Sequence, residues 1–203
     1  MRNGGGHRQL AGAQRTDGRD ESTVVRTTGT ITTVASDISI RPAAGADLPA
    51  IIEALGQQHF FAERFRRQQD GRGVLLVAWL DGRPVGDVYV WLERAEEWQL
   101  REHLPGIPLL NHLEVVDGMR NRAIGTAIVE AAERLLAAQG FKQVALGIRL
   151  DNAGAARLYE RLGYAEWEHG HIETSYVVFL ADGQEDREPE MCRILVKDLR
   201  TDD

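Results

Sequence analysis

The sequence predicts one α/β domain built on a mixed sheet. Three observations lead to that fold class. Two β-rich runs flank Asp81-Gly82, a strong signal for a tight hairpin. Two strand–turn–helix units follow one another between Leu109 and Gly163. Strand and helix patterns alternate along the chain, β-α-α-β-β-β-α-β-α and then a closing run of strands, with no internal repeat.

The elements follow in order. "ISIRPA" reads as a short strand stopped by Pro42. "GADLPAIIEALGQQ" has an acidic start and apolar residues at Leu48, Ile51, Ile52 and Leu55, the period of a helix. "HFFAERFRRQQDG" reads as a second helix. Its Phe60, Phe61 and Phe65 suit core packing, with the wall of a pocket as the alternative. "GVLLVAWLDGRPVGDVYVWLE" is the hairpin, and "RAEEWQLREHLPGIP" is a polar connection closed by two prolines. "LLNHLEVV" is a strand, and the helix after it places Ile124, Ile128, Ala131 and Leu135 on one face before Gly140 ends it. "KQVALGIRL" is the next strand. "DNAGAARLYERLGY" is a helix capped by Asp151 or Asn152 and closed by Gly163. "AEWEH", "SYVVFLA" and "MCRILVKDL" supply the last strands.

Residues 1–36 stand apart. They are rich in Gly, Arg and Thr, lack periodicity and carry a charge of +2, so they read as a disordered leader before a domain at 37–200. The whole chain of 203 residues carries −7, which leaves −9 on the domain and argues against a general nucleic-acid binder. Cys192 is the only cysteine, so no disulfide forms within the chain and a reducing cytoplasm is expected. No apolar run is long enough for a membrane span.

The chemistry concentrates in the two strand–turn–helix units. A helix start leaves backbone N–H groups without partners, and cationic side chains there oppose the helix dipole. Arg120 and Arg122 beside the amides of Ala123, Ile124, Gly125 and Thr126 make sense if an anion is shared between them. The turn is neither a P-loop nor a dinucleotide fingerprint. In the second unit Asn152 opens a helix, and Tyr159 lies two turns along the same face.

Together the two units resemble the GNAT superfamily of acyl-CoA-dependent N-acyltransferases. Arg120-Asn121-Arg122-Ala123-Ile124-Gly125 follows the superfamily's [Q/R]-x-x-G-x-[G/A] pattern, except that Ala123 replaces the first glycine. Asn152, Ala155, Leu158, Tyr159, Gly163 and Tyr164 follow its N-x-x-A-x-x-L-Y-x-x-x-G-[F/Y] segment, and "IRPAAGADLPAII" looks like its first strand and helix. The resemblance implies a mostly antiparallel central sheet with a splayed parallel strand pair, flanked by helices. It implies acetyl-CoA in the opening, its pantetheine paired with the backbone of Glu114, Val115 and Val116. The pyrophosphate would rest on the amides from Arg122 to Thr126. Ala123 suits that role if its φ stays negative.

The implied reaction is aminolysis of a thioester. Tyr159 would protonate the departing thiolate by that resemblance, and the Val115 N–H would stabilise the oxyanion. The base is Glu114, His112 or a water relay. The first two alternate along one strand and so share a face. No metal is expected. His169 and His171 would sit on the acceptor rim, and Cys192 would be a core residue of the last strand. The acceptor is expected to be a primary amine of a small molecule: an amino sugar, an aminoglycoside-like compound, a polyamine or an amino-acid derivative. The acidic Glu93, Glu96, Glu97 and Glu102 suit a cationic acceptor. Relatives that acetylate protein N-termini often carry a Glu where this chain has Gly147. Acetylation of a protein lysine or N-terminus, and a non-catalytic acyl-CoA sensor, are the alternatives. Dimers are common in the superfamily, so the resemblance is compatible with a homodimer and leaves the oligomeric state open.

Overall fold

The structure, a computed structural model, describes residues 38–180 and 184–199; the expected leader lies outside the described residues. The chain opens with β1 (Ile38–Pro42), an edge strand antiparallel to β2, where a proline costs no ladder bond. A 3-10 turn at Gly45–Asp47 feeds α1 (Leu48–Leu55), which has Pro49 in its first turn. Gly56 at φ 73° and Gln57 at φ 49° are both left-handed, and they swing the chain into α2 (Gln58–Gln69). β2 (Gly73–Leu80) and β3 (Arg83–Trp91) form the expected hairpin. Asp81 and Gly82 both have positive φ, as a type I′ turn requires.

The polar connection holds an unforeseen helix, α3 (Trp98–His103). It is too short for a periodic signal, and Leu100 is its only buried residue. β4 (Leu109–Val115), α4 (Ile124–Ala138), β5 (Gln143–Arg149) and α5 (Ala153–Arg161) fall where the pattern placed them. The buried face of α4 is corrected: it runs through Ile124, Ile128, Val129, Ala132 and Leu136, and Ala131 and Leu135 lie at its margin. The tail forms β6 (Ala165–Glu166), β7 (Ile172–Phe179) and β8 (Glu185–Asp198). β8 starts well before the apolar "MCRILV", because its charged first half pairs with β7 along Glu185–Cys192.

The sheet runs β1-β2-β3-β4-β5-β8-β6, with β7 also on β8. Every neighbouring pair is antiparallel except β4 and β5. Those two are parallel and bridged only at Leu109–Ala145, beyond which they diverge. Both faces of the sheet are buried. Leu76, Ala78, Val88 and Val90 pack against α4 and Tyr159. Leu75, Val77, Tyr89 and Trp91, one residue out of step, pack against Ile51, Phe60 and Phe61 of α1 and α2. The gap between β4 and β5 therefore connects an α4–α5 face to an α1–α2 face. Among the described residues no helix is long and apolar enough to cross a membrane.

Candidate active site

On the α4–α5 side the gap is edged by backbone groups that β3 does not pair. Val116 donates its N–H to Val85 O at 3.0 Å, so this amide is engaged within the sheet. One residue earlier, opposite Gly86, alternation turns the Val115 N–H and C=O away from β3 and toward the gap. The Val115 carbonyl accepts Arg120 Nε at 3.3 Å, and Arg120 also pairs with Asp117 at 3.1 Å. α4 then begins without a side-chain cap, leaving the N–H groups of Ile124, Gly125 and Thr126 without helical acceptors. The expectation for Ala123 is corrected: its φ is 60°, left-handed, a conformation that costs an alanine about 1–2 kcal/mol. Asn121 is left-handed too, at φ 63°. The turn thus takes the shape that the first glycine of the superfamily pattern would adopt freely. A Cβ on Gly125 would meet only ordinary contacts with Leu158, Val115 and Leu113. The chain's own packing does not demand that glycine.

Asn152 caps α5, its Oδ1 accepting the Ala155 N–H at 3.0 Å. Tyr159 is buried edge-on against Tyr164, with ring centroids 5.2 Å apart. Burial alone pushes its phenol pKa upward, which keeps the hydroxyl protonated and able to donate.

On the α1–α2 side His112 and Glu114 do share a face, joined by two residues that the sequence reading missed. β4 carries a bulge: Asp87 pairs with Glu114 but Tyr89 pairs with Asn111, and His112 takes φ 57°. His112 Nδ1 lies 3.1 Å from Asp87 Oδ2, and its Nε2 lies 3.1 Å from Gln57 Oε1 and 3.5 Å from Glu114 Oε2. Gln57 Nε2 donates to Glu114 Oε2 at 2.8 Å. Phe60 stacks on the imidazole at 3.9 Å. Asp87 is fully buried and its Oδ1 has no hydrogen-bond partner. Burial pushes its carboxyl up to about 6, against the opposing pull of His112. The signal for Asp87 was present, an acid inside the apolar run "VGDVYVW", where a buried charge needs a partner. Gln57 gave none, because its role comes from a left-handed link between helices. The donor atoms of Asp87, His112 and Glu114 lie within 4.8 Å of one another, close enough to hold a cation, and hydrogen bonds already join them.

A cavity of about 660 Å³ crosses the gap. Its wall includes Asn152 and Tyr159 of the second strand–turn–helix unit, His112, Gln57 and Phe60, and also Arg64, Glu97, Tyr176 and Glu190. Of the three phenylalanines, Phe60 faces the cavity, whereas Phe61 is core. The acidic connection is largely neutralised: Glu93 pairs with Arg67 and Arg72, and Glu96 with Arg187. His169 and His171 do not line the cavity. His169 stacks on His103, 3.7 Å between centroids, and His171 faces Glu166 at 3.4 Å. Cys192 is buried on β8, and burial raises its thiol to about 12, which suits a structural residue.

The acetyltransferase (GNAT) family profile matches residues 43–164, more than half of the chain. The chain belongs to the GNAT acetyltransferase family. An uncharacterized N-acetyltransferase of Methanocaldococcus jannaschii is 30% identical over 112 residues, covering 54% of this chain and 45% of the relative; the match thus spans about half of that relative's length. The fold is shared with the ribosomal-protein-S18-alanine N-acetyltransferase of Escherichia coli (19% identity, 80% and 94% of the two chains, TM-score 0.57). It is shared also with a phosphinothricin acetyltransferase of Sinorhizobium meliloti in complex with acetyl-CoA (18% identity, 80% and 88%, TM-score 0.58). In this GNAT chain the uncapped helix start, the Val115 N–H turned toward the gap and the cavity fit acetyl-CoA as co-substrate.

Proposed function

We propose that this acetyltransferase moves the acetyl group of acetyl-CoA to a primary amine of a small molecule, by direct aminolysis in a ternary complex. The observation that carries the reading is the cavity across the β4–β5 gap, lined by the buried phenol of Tyr159 and by His112, whose imidazole is hydrogen-bonded to Asp87 behind it. Acetyl-CoA supplies the activated acyl group. The amides of Ile124, Gly125 and Thr126, with Arg122, hold its pyrophosphate. The Val115 N–H binds pantetheine or the developing oxyanion. Tyr159 gives its proton to the thiolate, and a base at His112 or Glu114 takes one from the acceptor ammonium.

Side chains from α2, α3, β7 and β8 line the cavity along with the two splayed strands, which supports a compact acceptor over a folded protein surface. Glu63, Glu96, Glu97 and Glu190 line the cavity together with Arg64, Arg67, Arg149 and Arg187, so its wall carries charge of both signs rather than the acidic character expected from the connection alone. The buried reduced cysteine fits a cytoplasmic enzyme.

The test is thiol release from acetyl-CoA against a broad library of amines, with peptides bearing free N-termini or lysines alongside. Turnover on small amines supports the proposal. Turnover on peptides alone would move the acceptor to proteins, and no release with any amine would leave an acyl-CoA sensor. EDTA is expected to leave turnover unchanged, since no step uses a metal.

A further inference from the structure

We propose that Asp87 is the positioning residue of this site. It fixes His112 with Nδ1 protonated, so that Nε2 is the atom that takes the acceptor's proton, while Gln57 and Glu114 bind the imidazolium that results. The inference rests on the reading of the chain as an amine acetyltransferase, and it settles the choice of base that the sequence leaves open.

A carboxylate with no exposed surface and one oxygen without a partner is expensive to bury. The backbone also holds a left-handed histidine inside a strand, beside a left-handed glutamine at a helix link. These three unfavourable features meet at one ring. Asp87 Oδ2 faces Nδ1 at 3.1 Å, and Gln57 Oε1 faces Nε2 at 3.1 Å. Both ring nitrogens therefore see oxygen acceptors, an arrangement fully satisfied only when both carry protons. Glu114, 3.5 Å from Nε2, adds a negative charge, and Gln57 orients it through the 2.8 Å bond. The site is organised around the protonated imidazole, the state formed once the amine has given up its proton.

The groups facing the ring divide by element. Asp87 comes from β3, Glu114 from β4, and Gln57 from the α1–α2 link; Phe60 and Phe61 of α2 close the remaining sides. The Arg64 guanidinium lies over Phe60 at 5.1 Å, and Phe60 in turn stacks on the imidazole. Nearby Glu63 pairs with Arg64 and Arg67. The proton balance is simple. R–NH3⁺ gives one proton to His112 Nε2, and the freed lone pair forms the N–C bond. The C–S bond breaks as Tyr159 gives its hydroxyl proton to the sulfur, and the second proton of the former ammonium nitrogen passes to the Tyr159 oxygen, leaving a neutral amide, a thiol and an intact phenol. The imidazolium then returns its proton to water.

Two measurements test this on the full chain. Nitrogen NMR of the imidazole, which needs no acceptor, should report Nδ1–H as the neutral tautomer of His112 in the wild type. In Asp87→Asn it should report a shift toward Nε2–H. A neutral wild-type ring with its single proton on Nε2 would overturn the proposal. With an acceptor from the library, Asp87→Asn should lower kcat/KM about 10- to 100-fold. Its acidic limb should also move to lower pH, because a negative charge that favours the imidazolium is gone. His112→Gln should remove that limb. A uniform loss at every pH would make Asp87 merely structural. If no amine is turned over while the tautomer is as expected, the acetyltransferase reading fails and the positioning role stands.

Discussion

At the scale of single residues, three positions carry most of the argument. Ala123 holds a left-handed backbone that glycine adopts without strain. Ala123→Gly should stabilise the chain by about 1 kcal/mol, read as a raised urea midpoint at unchanged slope. Tyr159→Phe keeps the ring against Tyr164 and removes only the hydroxyl. We expect kcat to fall roughly 10- to 1000-fold with little change in KM for acetyl-CoA; an unchanged kcat would return Tyr159 to packing. Asp87 links the site to pH. Its carboxyl sits at about 6 in the fold against 3.8 ordinarily, so the folded chain binds a proton between those values that the unfolded chain does not. Its stabilising contribution is present below about pH 4 and is lost as pH rises to about 6. Asp87→Asn should therefore gain on the wild type across that window, by up to about 3 kcal/mol in urea titrations run at successive pH values. His112, Glu114, Asn152 and Tyr159 were legible because motif or alternation marks them. The backbone angle at Ala123 was not, since nothing in the letter A encodes a left-handed turn.

Among the elements, those with strong local signals were placed correctly, and those made by partners were not. The hairpin at Asp81-Gly82 and helices α4 and α5 follow from turn residues, caps and period. α3 and the first half of β8 do not. Six residues with one buried anchor make no period, and "EDREPE" is strand only because β7 lies beside it. The face of α4 was off by one position, since a 3.6-residue period leaves neighbouring stripes nearly equal until the sheet chooses between them. That choice is measurable: Leu136→Ala should cost about 2–5 kcal/mol, and Leu135→Ala clearly less. The bulge in β4 was also invisible, because the alternation of "LLNHLEVV" looks regular through it.

For the whole molecule, the fold class and the splayed pair agree with what the motifs implied, and the cavity joins two faces that are far apart in sequence. A chain starting at Asp37 should keep its fold and its affinity for acetyl-CoA. A large loss of turnover on deletion would assign the leader a part in acceptor binding. Acetyl-CoA at 100 times its Kd should add about 2.7 kcal/mol of stability, a Tm rise of roughly 5–10 °C for a chain of this size. A flat melting curve at millimolar CoA would remove the cofactor assignment.

The single bridge between β4 and β5 has a kinetic corollary. Past Leu109–Ala145 the hydrogen-bonding ladder is open like a zip. The Val115 amide points into the opening, and so does that of Gly147, two residues beyond the Ala145 N–H that still reaches Pro108 O. These protons should exchange with deuterated solvent quickly in the free chain, although they lie at the centre of an eight-stranded sheet. Pantetheine, threaded between the strands, should slow them as a ninth strand would. Exchange at Val115 would then serve as a site-specific gauge of cofactor occupancy, readable before any acceptor is known.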